Sequence, residues 1–518
     1  MNKINEFILK NKIFLLIYLV SLSFFIIQHY WNLSWDFQVY LLNGDFWFNN
    51  GFYFEPSRPP VLPFTLGLFS LIFNSVIVQY LYIVLITTFF AFTTYILAKS
   101  LKLNPILFYI ISLNPFLLFY GLFDGTELLT IAFTELAIYF IVKKSYWSGL
   151  FVALAGLSRY TAILFFPIIF LHLKMKTIIK SFLLYALPFA IWFIYNFSKW
   201  GNFFYSISDQ YALNVLFRSY TIQPIVFNHF AIVLNILLPF VIVGVIIKLV
   251  AFFKDINYTK EILQSIWKTI KKRRIELIFL FLLIYSIRIY VTVPFKIPRY
   301  LFYILLPGFY YAYFGFKITY DKVILRLKIK LINKKIIVSV LLLILIFFSF
   351  YSGLTEIRKV KSPTSITQIE FDLAELNMND CLILSNDWPN LIYHGIDSKM
   401  FPREELFDRR IEEGYKVLFF IPSSEPKYAN KPEFLEKPII LERDGYILFG
   451  NNNECVTLDK YEGSYLGRLH DEILELHNEE ININPCLILF HSHSLFEKTC
   501  NLINLNGFKI DENRNLGV

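Results

Sequence analysis

Apolar runs separated by clusters of charge set the pattern of the first 350 residues. Runs at about 13–30, 77–98, 104–122, 126–142, 178–196, 229–251, 275–293, 299–317 and 336–351 are each close to the length that crosses a bilayer. A hydrocarbon core of about 30 Å asks for about 20 apolar residues per helix. Strand-like alternation is absent, so these runs predict transmembrane α-helices rather than a barrel. Two segments fit less well: 60–73 is too short to cross comfortably, and 146–173 is long but broken at Ser158-Arg159.

Charge placement resolves both segments. If 60–73 lies in the outer interface or dips in and returns, and 146–173 is two short helices hinged at Ser158-Arg159, every lysine-rich and arginine-rich loop falls on the cytoplasmic side. Those loops include Lys99 with Lys102, Lys143 with Lys144, and the stretches 254–274 and 317–335. The first run has no small-residue cleavage site and reads as an uncleaved helix. The expected fold is an α-helical polytopic membrane protein of about eleven spans, with the N-terminus cytoplasmic and the C-terminus extracytoplasmic. The loop at 31–59, the turn at 124–127, the hinge at Arg159, the loop at 198–228 and the stretch 296–299 then share the outer face.

After Tyr351 the pattern changes. Short apolar runs at 381–384, 416–421, 438–449 and 486–490 alternate with helical patterns at 365–376 and 468–477, which predicts a small extracytoplasmic α/β domain. The expected division is a membrane unit at 1–351, with its first outer loop at 31–59, and a soluble unit at 352–518.

Composition agrees with this division. The chain is 56% hydrophobic and 17% charged, more apolar than a soluble core can bury. The net charge of +9 could suggest nucleic acid, but the basic residues sit between spans, where the positive-inside rule accounts for them. The cysteines (Cys381, Cys455, Cys486 and Cys500) all fall in the last third, without zinc-site spacing. One or two disulfides and free thiols both remain open.

Candidate chemistry gathers on the outer face. Asp36 and Tyr40 are four residues apart and would share one side of an interfacial helix flanked by Trp31, Trp35, Phe37 and Trp47. Gly44 would end that helix, leaving Asp45 out of phase. Arg58 precedes Pro59-Pro60, a helix start whose open N–H groups suit an anion such as phosphate; simple interface anchoring is the competing reading. Asp124 and Glu127 have capping-box spacing, so Asp124 could cap a helix, line a site, or both. Arg159 interrupts an apolar run at a cost of about 3 kcal/mol unless it pairs or lines a cavity. Arg299, in Pro298-Arg299-Tyr300-Leu301, serves interface anchoring as readily as substrate contact.

The order of these motifs carries a resemblance. Trp35-Asp36 with Tyr40, then Arg58-Pro59-Pro60-Val61-Leu62-Pro63, the acidic turn at 124–127, Gly156-Leu157-Ser158-Arg159-Tyr160-Thr161, and Pro298-Arg299-Tyr300-Leu301 together resemble the GT-C glycosyltransferase superfamily. Within it the pattern is most similar to the family 39 group of protein mannosyltransferases and aminoarabinose transferases. The resemblance covers roughly residues 1–320. It implies transfer of a sugar from a polyprenyl-phosphate donor to an extracytoplasmic hydroxyl on a glycan, lipid or protein. It places the family's catalytic first-loop aspartate at Asp36 and its cations at Arg58 and Arg159, and Arg299 is a third candidate for binding the donor phosphate. The second acidic position falls on Asp124, with Glu127 beside it as a further acid for metal or acceptor; Tyr40 and Tyr160 line the site. Asp36-Phe37 stands where protein mannosyltransferases show an Asp-Glu pair, which argues against a protein acceptor, and no Trp-Trp-Asp-Tyr-Gly of oligosaccharyltransferases is present.

An activated lipid phosphate leaving group needs no redox cofactor or nucleotide, and no Gly-rich phosphate loop is present. A divalent metal held by Asp36 and Asp124 stays open. The alternative function is a non-catalytic transporter or assembly factor for lipid-linked sugars, which would use the same cations without needing Asp36. A transporter would show paired broken helices in two related halves, and the sequence shows one clear break. The expected partners are the lipid donor, its acceptor and membrane lipid, with no nucleic acid.

Overall fold

The computed structural model describes residues 11–31, 34–216, 224–255, 268–293, 296–320, 340–355 apart from 341, 342 and 345, and 366–477 apart from 403–405, 421–437, 444, 452–454 and 458–460. The chain is a membrane protein, mostly helical, with a C-terminal sheet. Its membrane part contains α1 (Lys12–Trp31), α2 (Trp35–Phe48), strand β1 (Tyr53–Phe54), α3 (Val61–Ser70), α4 (Ser75–Ser100), α5 (Pro105–Ser112), α6 (Pro115–Tyr120) and α7 (Glu127–Val142). There follow α8 (Ser148–Ser158), a 3-10 helix (Tyr160–His172), α9 (Met175–Trp200), α10 (Tyr205–Tyr211), α11 (Asn228–Leu234), α12 (Leu238–Lys254) and α13 (Arg274–Thr292). A second 3-10 helix (Pro298–Ile304) leads into α14 (Leu305–Thr319), and α15 (Ile346–Thr355) closes the unit.

Among the described residues five helical segments are long and apolar enough to cross a membrane: Lys12–Trp31, Ser75–Ser100, Met175–Trp200, Asn228–Lys254 and Pro298–Thr319. The run read as one span at 104–122 is two short helices, because Asn104 and Asn114 each cap a new start ahead of a proline. The break at Ser158-Arg159 is real. Arg159 has extended backbone (φ −157°, ψ 115°), and the chain continues as 3-10 helix.

One expectation fails. Gly44 does not end the interfacial helix, which runs on to Phe48. A Cβ on Gly44 would stand 2.9 Å from the Gly67 backbone nitrogen and from the Pro63 carbonyl oxygen, so its bare backbone lets α2 cross α3 closely. Packing, rather than helix termination, is the use of this glycine.

The C-terminal part contains α16 (Ile366–Glu375), β2 (Ile383–Ser385), α17 (Trp388–Tyr393), β3 (Ser398–Met400), α18 (Phe407–Glu412), β4 (Lys416–Phe420), β5 (Ile439–Arg443), β6 (Tyr446–Phe449), β7 (Tyr461–Glu462) and α19 (Tyr465–His477). Five strands form one sheet in the order β3-β2-β4-β6-β5, parallel on the β3, β2, β4 side and antiparallel across β6 and β5. The single apolar run at 438–449 is therefore a hairpin. Cys381 and Cys455 are joined by a disulfide. Cys486, Cys500 and the run at 486–490 lie outside the described residues, as does the linker signal at Pro363.

The sheet domain is stitched to the membrane part. β7 pairs in parallel with β1, matching Tyr53 to Tyr461 and Phe54 to Glu462. Trp388 packs against both Trp35 and Tyr53. Gln38 donates to Asn390, and Gln79 donates to the Tyr393 hydroxyl. Asp209, buried at the end of α10, accepts from the Leu466 N–H at 2.6 Å and from Ser464 at 3.1 Å.

Candidate active site

Charged groups far apart in the sequence meet because each stands at a helix end or break. Ser34 caps α2 by accepting from the Phe37 N–H, which leaves Asp36 in the first turn, at the positive end of the dipole. Arg58 leaves a tight turn closed by its N–H on the Glu55 carbonyl, and Pro59-Pro60 then opens α3. Glu127 is the first residue of α7, Arg159 fills the break after α8, and Arg299 is in the first turn of the second 3-10 helix. At these positions side chains converge without interrupting a backbone ladder.

Arg58 donates to Asp36 at 2.6 Å through Nη1, and its Nε lies 3.2 Å from Glu55. Arg299 reaches Asp36 at 3.4 Å and Glu127 at 3.1 Å, and it also pairs with Asp124. Arg159 pairs with Glu127 and lies 3.7 Å from Asp124. Three guanidiniums thus share four carboxylates.

Exposure divides them into two layers. The side chains of Asp36, Arg159 and Arg299 keep 18–23% of their surface open, whereas those of Arg58, Asp124, Glu127 and Glu55 keep 8% or less. The accessible side of the cluster therefore presents one carboxylate and two guanidiniums.

Burial alone would raise the Asp36 carboxyl, but Arg58 and Arg299 outweigh it and hold the group at about 2. Burial wins at Glu55, which stays above the usual carboxylate range despite Arg58. The Tyr40 hydroxyl is pushed up to about 12, chiefly by burial, and its ring lies 5.4 Å from the Arg58 guanidinium, with Trp35 at 5.3 Å.

The cluster contains Asp36, Arg58, Asp124, Glu127, Arg159 and Arg299, with Tyr40 against Arg58. Tyr160 turns instead toward α9, where its hydroxyl accepts from the Trp192 indole at 3.0 Å. Asp45 lies apart and accepts from Asn49. The capping reading of Asp124 is not what the structure shows: Thr126 occupies the cap position of α7 without a side-chain bond, and Asp124 faces Arg299. Arg159 likewise spends its guanidinium on acids and on Thr126, with no carbonyl of the broken helix among its partners. Arg299 lies within the cluster rather than only in the interface.

Other residues carry no motif and are visible only in three dimensions. Asn43 clamps the Glu55 backbone from both sides, donating to its carbonyl and accepting from its N–H at 2.8 Å each. Tyr82 donates to the Gly125 carbonyl. Gly125 has φ +84°, and a Cβ there would come within 2.7 Å of the Phe37 ring. These contacts fix the turn carrying Asp124 and Glu127 over the start of α2. Their only sequence signal is a polar residue in an apolar helix face, too common to single them out.

Among the described residues no three His, Cys, Asp or Glu side chains group as a metal site. Asp36 and Asp124 both face Arg299, so a divalent ion between them would have to move that guanidinium.

Two solved structures share this architecture. ArnT from Cupriavidus metallidurans, bound to undecaprenyl phosphate, covers 84% of this chain over 97% of its own length, with TM-score 0.51 and 10% identity. The archaeal oligosaccharyltransferase AglB from Archaeoglobus fulgidus, in complex with an inhibitory peptide and a dolichol-phosphate, covers 80% of this chain over 70% of its own, with TM-score 0.56 and 12% identity. At these identities the likeness is one of fold, and this chain shares the fold of both structures. In sequence, no family model and no curated protein matches it.

Proposed function

We propose that the chain is a membrane glycosyltransferase moving a hexosyl or pentosyl group from a polyprenyl-phosphate donor to a hydroxyl on an extracytoplasmic glycan, lipid or protein. The observation that carries this reading is the cluster itself: Asp36 is held between Arg58 and Arg299, and Arg159 joins the same network through Asp124 and Glu127. Likeness to folds solved with undecaprenyl phosphate and dolichol-phosphate supports a lipid phosphate as the ligand.

In this reading Asp36 takes the proton of the acceptor hydroxyl as its oxygen attacks the anomeric carbon. The bond from that carbon to the phosphate oxygen breaks, and the charge left on the phosphate is met by the arginines. A carboxylate held at about 2 is a weak base at neutral pH. A lipid phosphate that draws Arg58 and Arg299 to itself removes the two charges that hold Asp36 low, so donor binding raises the basicity of the group that must act next. Asp124 and Glu127 keep the arginines in place between turnovers. Such a reaction draws on no redox cofactor, and a metal, if used, would add charge stabilisation at the departing phosphate.

In this reading the membrane part carries the site, the sheet domain lies outside the cell, and the N-terminus is cytoplasmic. The lysine-rich inner loops support that orientation, as does the Cys381 to Cys455 disulfide, a bond of oxidising compartments.

The test is Asp36→Asn in purified full-length protein. Transfer should fall by about 10²- to 10⁴-fold, the usual contribution of a general base, while binding of a polyprenyl phosphate persists. An Asn variant that still transfers would place the base elsewhere, with Asp124 the next candidate. Full lipid-linked-sugar handling without any transfer by the native protein would favour the transporter or assembly-factor reading.

A further inference from the structure

The turn that carries Arg58 is held from the C-terminal domain. The Gly463 N–H donates to the Phe54 carbonyl at 2.6 Å, extending the pairing of β7 with β1 to the residue before Glu55. Two residues on, the buried Tyr465 side chain interacts with the Glu55 carboxylate. Glu55 is fully buried, accepts from Ser57 at 2.9 Å, and faces Arg58 Nε. The far side of the segment is anchored in turn, since Asp209 accepts from the Leu466 N–H and the Tyr205 and Ser464 hydroxyls are 2.7 Å apart.

The consequence concerns Arg58. With Nη1 donating to Asp36 and Nε in ion-pair contact with Glu55 at 3.2 Å, the guanidinium faces a carboxylate on two of its edges, and among the described residues neither Nε nor the buried Nη2 has a hydrogen-bond partner. Glu55 decides that orientation, and Tyr465 decides where Glu55 stands. We propose that the segment 461–467 is a latch through which the outer domain positions Arg58 for the lipid phosphate, acting by way of Glu55. Tyr465 and Glu55 are positioning residues in this account, which rests on the phosphate-binding role given to Arg58 above. It makes the outer domain part of the donor site rather than an appended module.

The test uses full-length protein in lipid nanodiscs, with a short-chain polyprenyl phosphate as the binding probe and the melting temperature as the folding check. Tyr465→Phe removes one hydroxyl and no charge, and it should weaken the probe about fivefold, the worth of one net hydrogen bond, with little change in melting. Tyr393→Phe is the matched control: it removes another hydroxyl bond across the same interface, to Gln79, with no link to Arg58. It should leave probe binding unchanged. If both variants weaken binding equally, the effect is general loosening of the domain and the latch is overturned.

Glu55→Gln gives a second, sign-based readout. If Glu55 only balances charge, removing its charge makes the site more cationic and the anionic probe binds tighter. If Glu55 orients Arg58, the probe binds about tenfold weaker, as for a lost charge-assisted contact. Tighter binding would overturn the latch. Arg58→Ala separates the two levels of argument: if it leaves probe binding intact, the phosphate reading of Arg58 itself fails, whereas if it weakens binding while Tyr465→Phe and Glu55→Gln do not, only the latch fails.

Discussion

Helix α7 carries two fully buried acids, and they are treated in opposite ways. Glu127, at the N-terminal end, is met by Arg159 and Arg299. Glu135, eight residues further into the membrane part, meets no guanidinium or ammonium among the described residues. Thr93 donates to it at 2.6 Å, and Thr94 lies 3.0 and 3.1 Å from its two oxygens, both from the facing helix α4. The first acid belongs to a network of ion pairs; the second ties two helices together through neutral hydroxyls. Burial of a carboxyl is therefore no guide to function here. What separates the two is whether cations meet the acid where solvent or substrate can also reach.

Breaking the ionic end should cost the most. Arg299 touches Asp36, Asp124 and Glu127, so Arg299→Ala leaves buried acids without their shared cation. Removing one partner of a buried pair typically costs about 3–5 kcal/mol, and a lower melting temperature should accompany weaker polyprenyl-phosphate binding. If the variant melts like the native protein, the pairing at Arg299 is less tightly held than the contacts indicate.

How much of this was legible in the sequence depends on what fixes each feature. Five of the expected spans, the break at Ser158-Arg159 and the sheet runs at 381–384 and 416–421 follow from local apolar pattern and charge, and the described residues have them, whereas the run at 104–122 divides into two short helices. The six charged positions were legible as candidates because ions in or beside apolar runs are costly and so stand out. Their pairing was not, because Asp36 and Arg299 meet only through the packing of helices distant in the chain. Two local readings misled for a related reason: Gly44 has the look of a helix end and Asp124 that of a cap, yet tertiary contact with Gly67 and with Arg299 assigns both elsewhere. Glu55 and Tyr465 carry no pattern that joins them, since they meet only where β1 meets β7 across more than 400 residues, and Asn43 shows its use only in its clamp on the Glu55 backbone.

Glu135→Gln sharpens the contrast from the other end of α7. Glutamine keeps an oxygen to accept from the threonine hydroxyls and adds no charge, so the helix pin should lose about 1 kcal/mol or less. Transfer activity should remain near native. A large loss of activity with unchanged melting would show that Glu135 communicates with the site, and the division between ionic and structural acids along α7 would have to be redrawn.

The smallest effect is expected within α2 itself, at Asp45. It lies nine residues beyond Asp36 on the same helix, but the intervening turns point it away from the arginines and toward Asn49, whose side-chain amide it accepts at 3.1 Å. Burial raises its carboxyl and the Asn49 contact only partly offsets this, so no cation holds it in the ionised form as Arg58 and Arg299 hold Asp36. The helix-ending bonds at this site come from the Asp45 backbone carbonyl, which accepts from the Asn49 and Gly51 N–H groups and is untouched by a side-chain change. Asp45→Asn should therefore shift stability by no more than about 0.5 kcal/mol and leave transfer unchanged, measured beside Asp36→Asn in the same preparation. A loss of transfer comparable to that of Asp36→Asn would mean that charge anywhere on α2 serves the reaction, and the specific placement of Asp36 between Arg58 and Arg299 would lose its explanatory force.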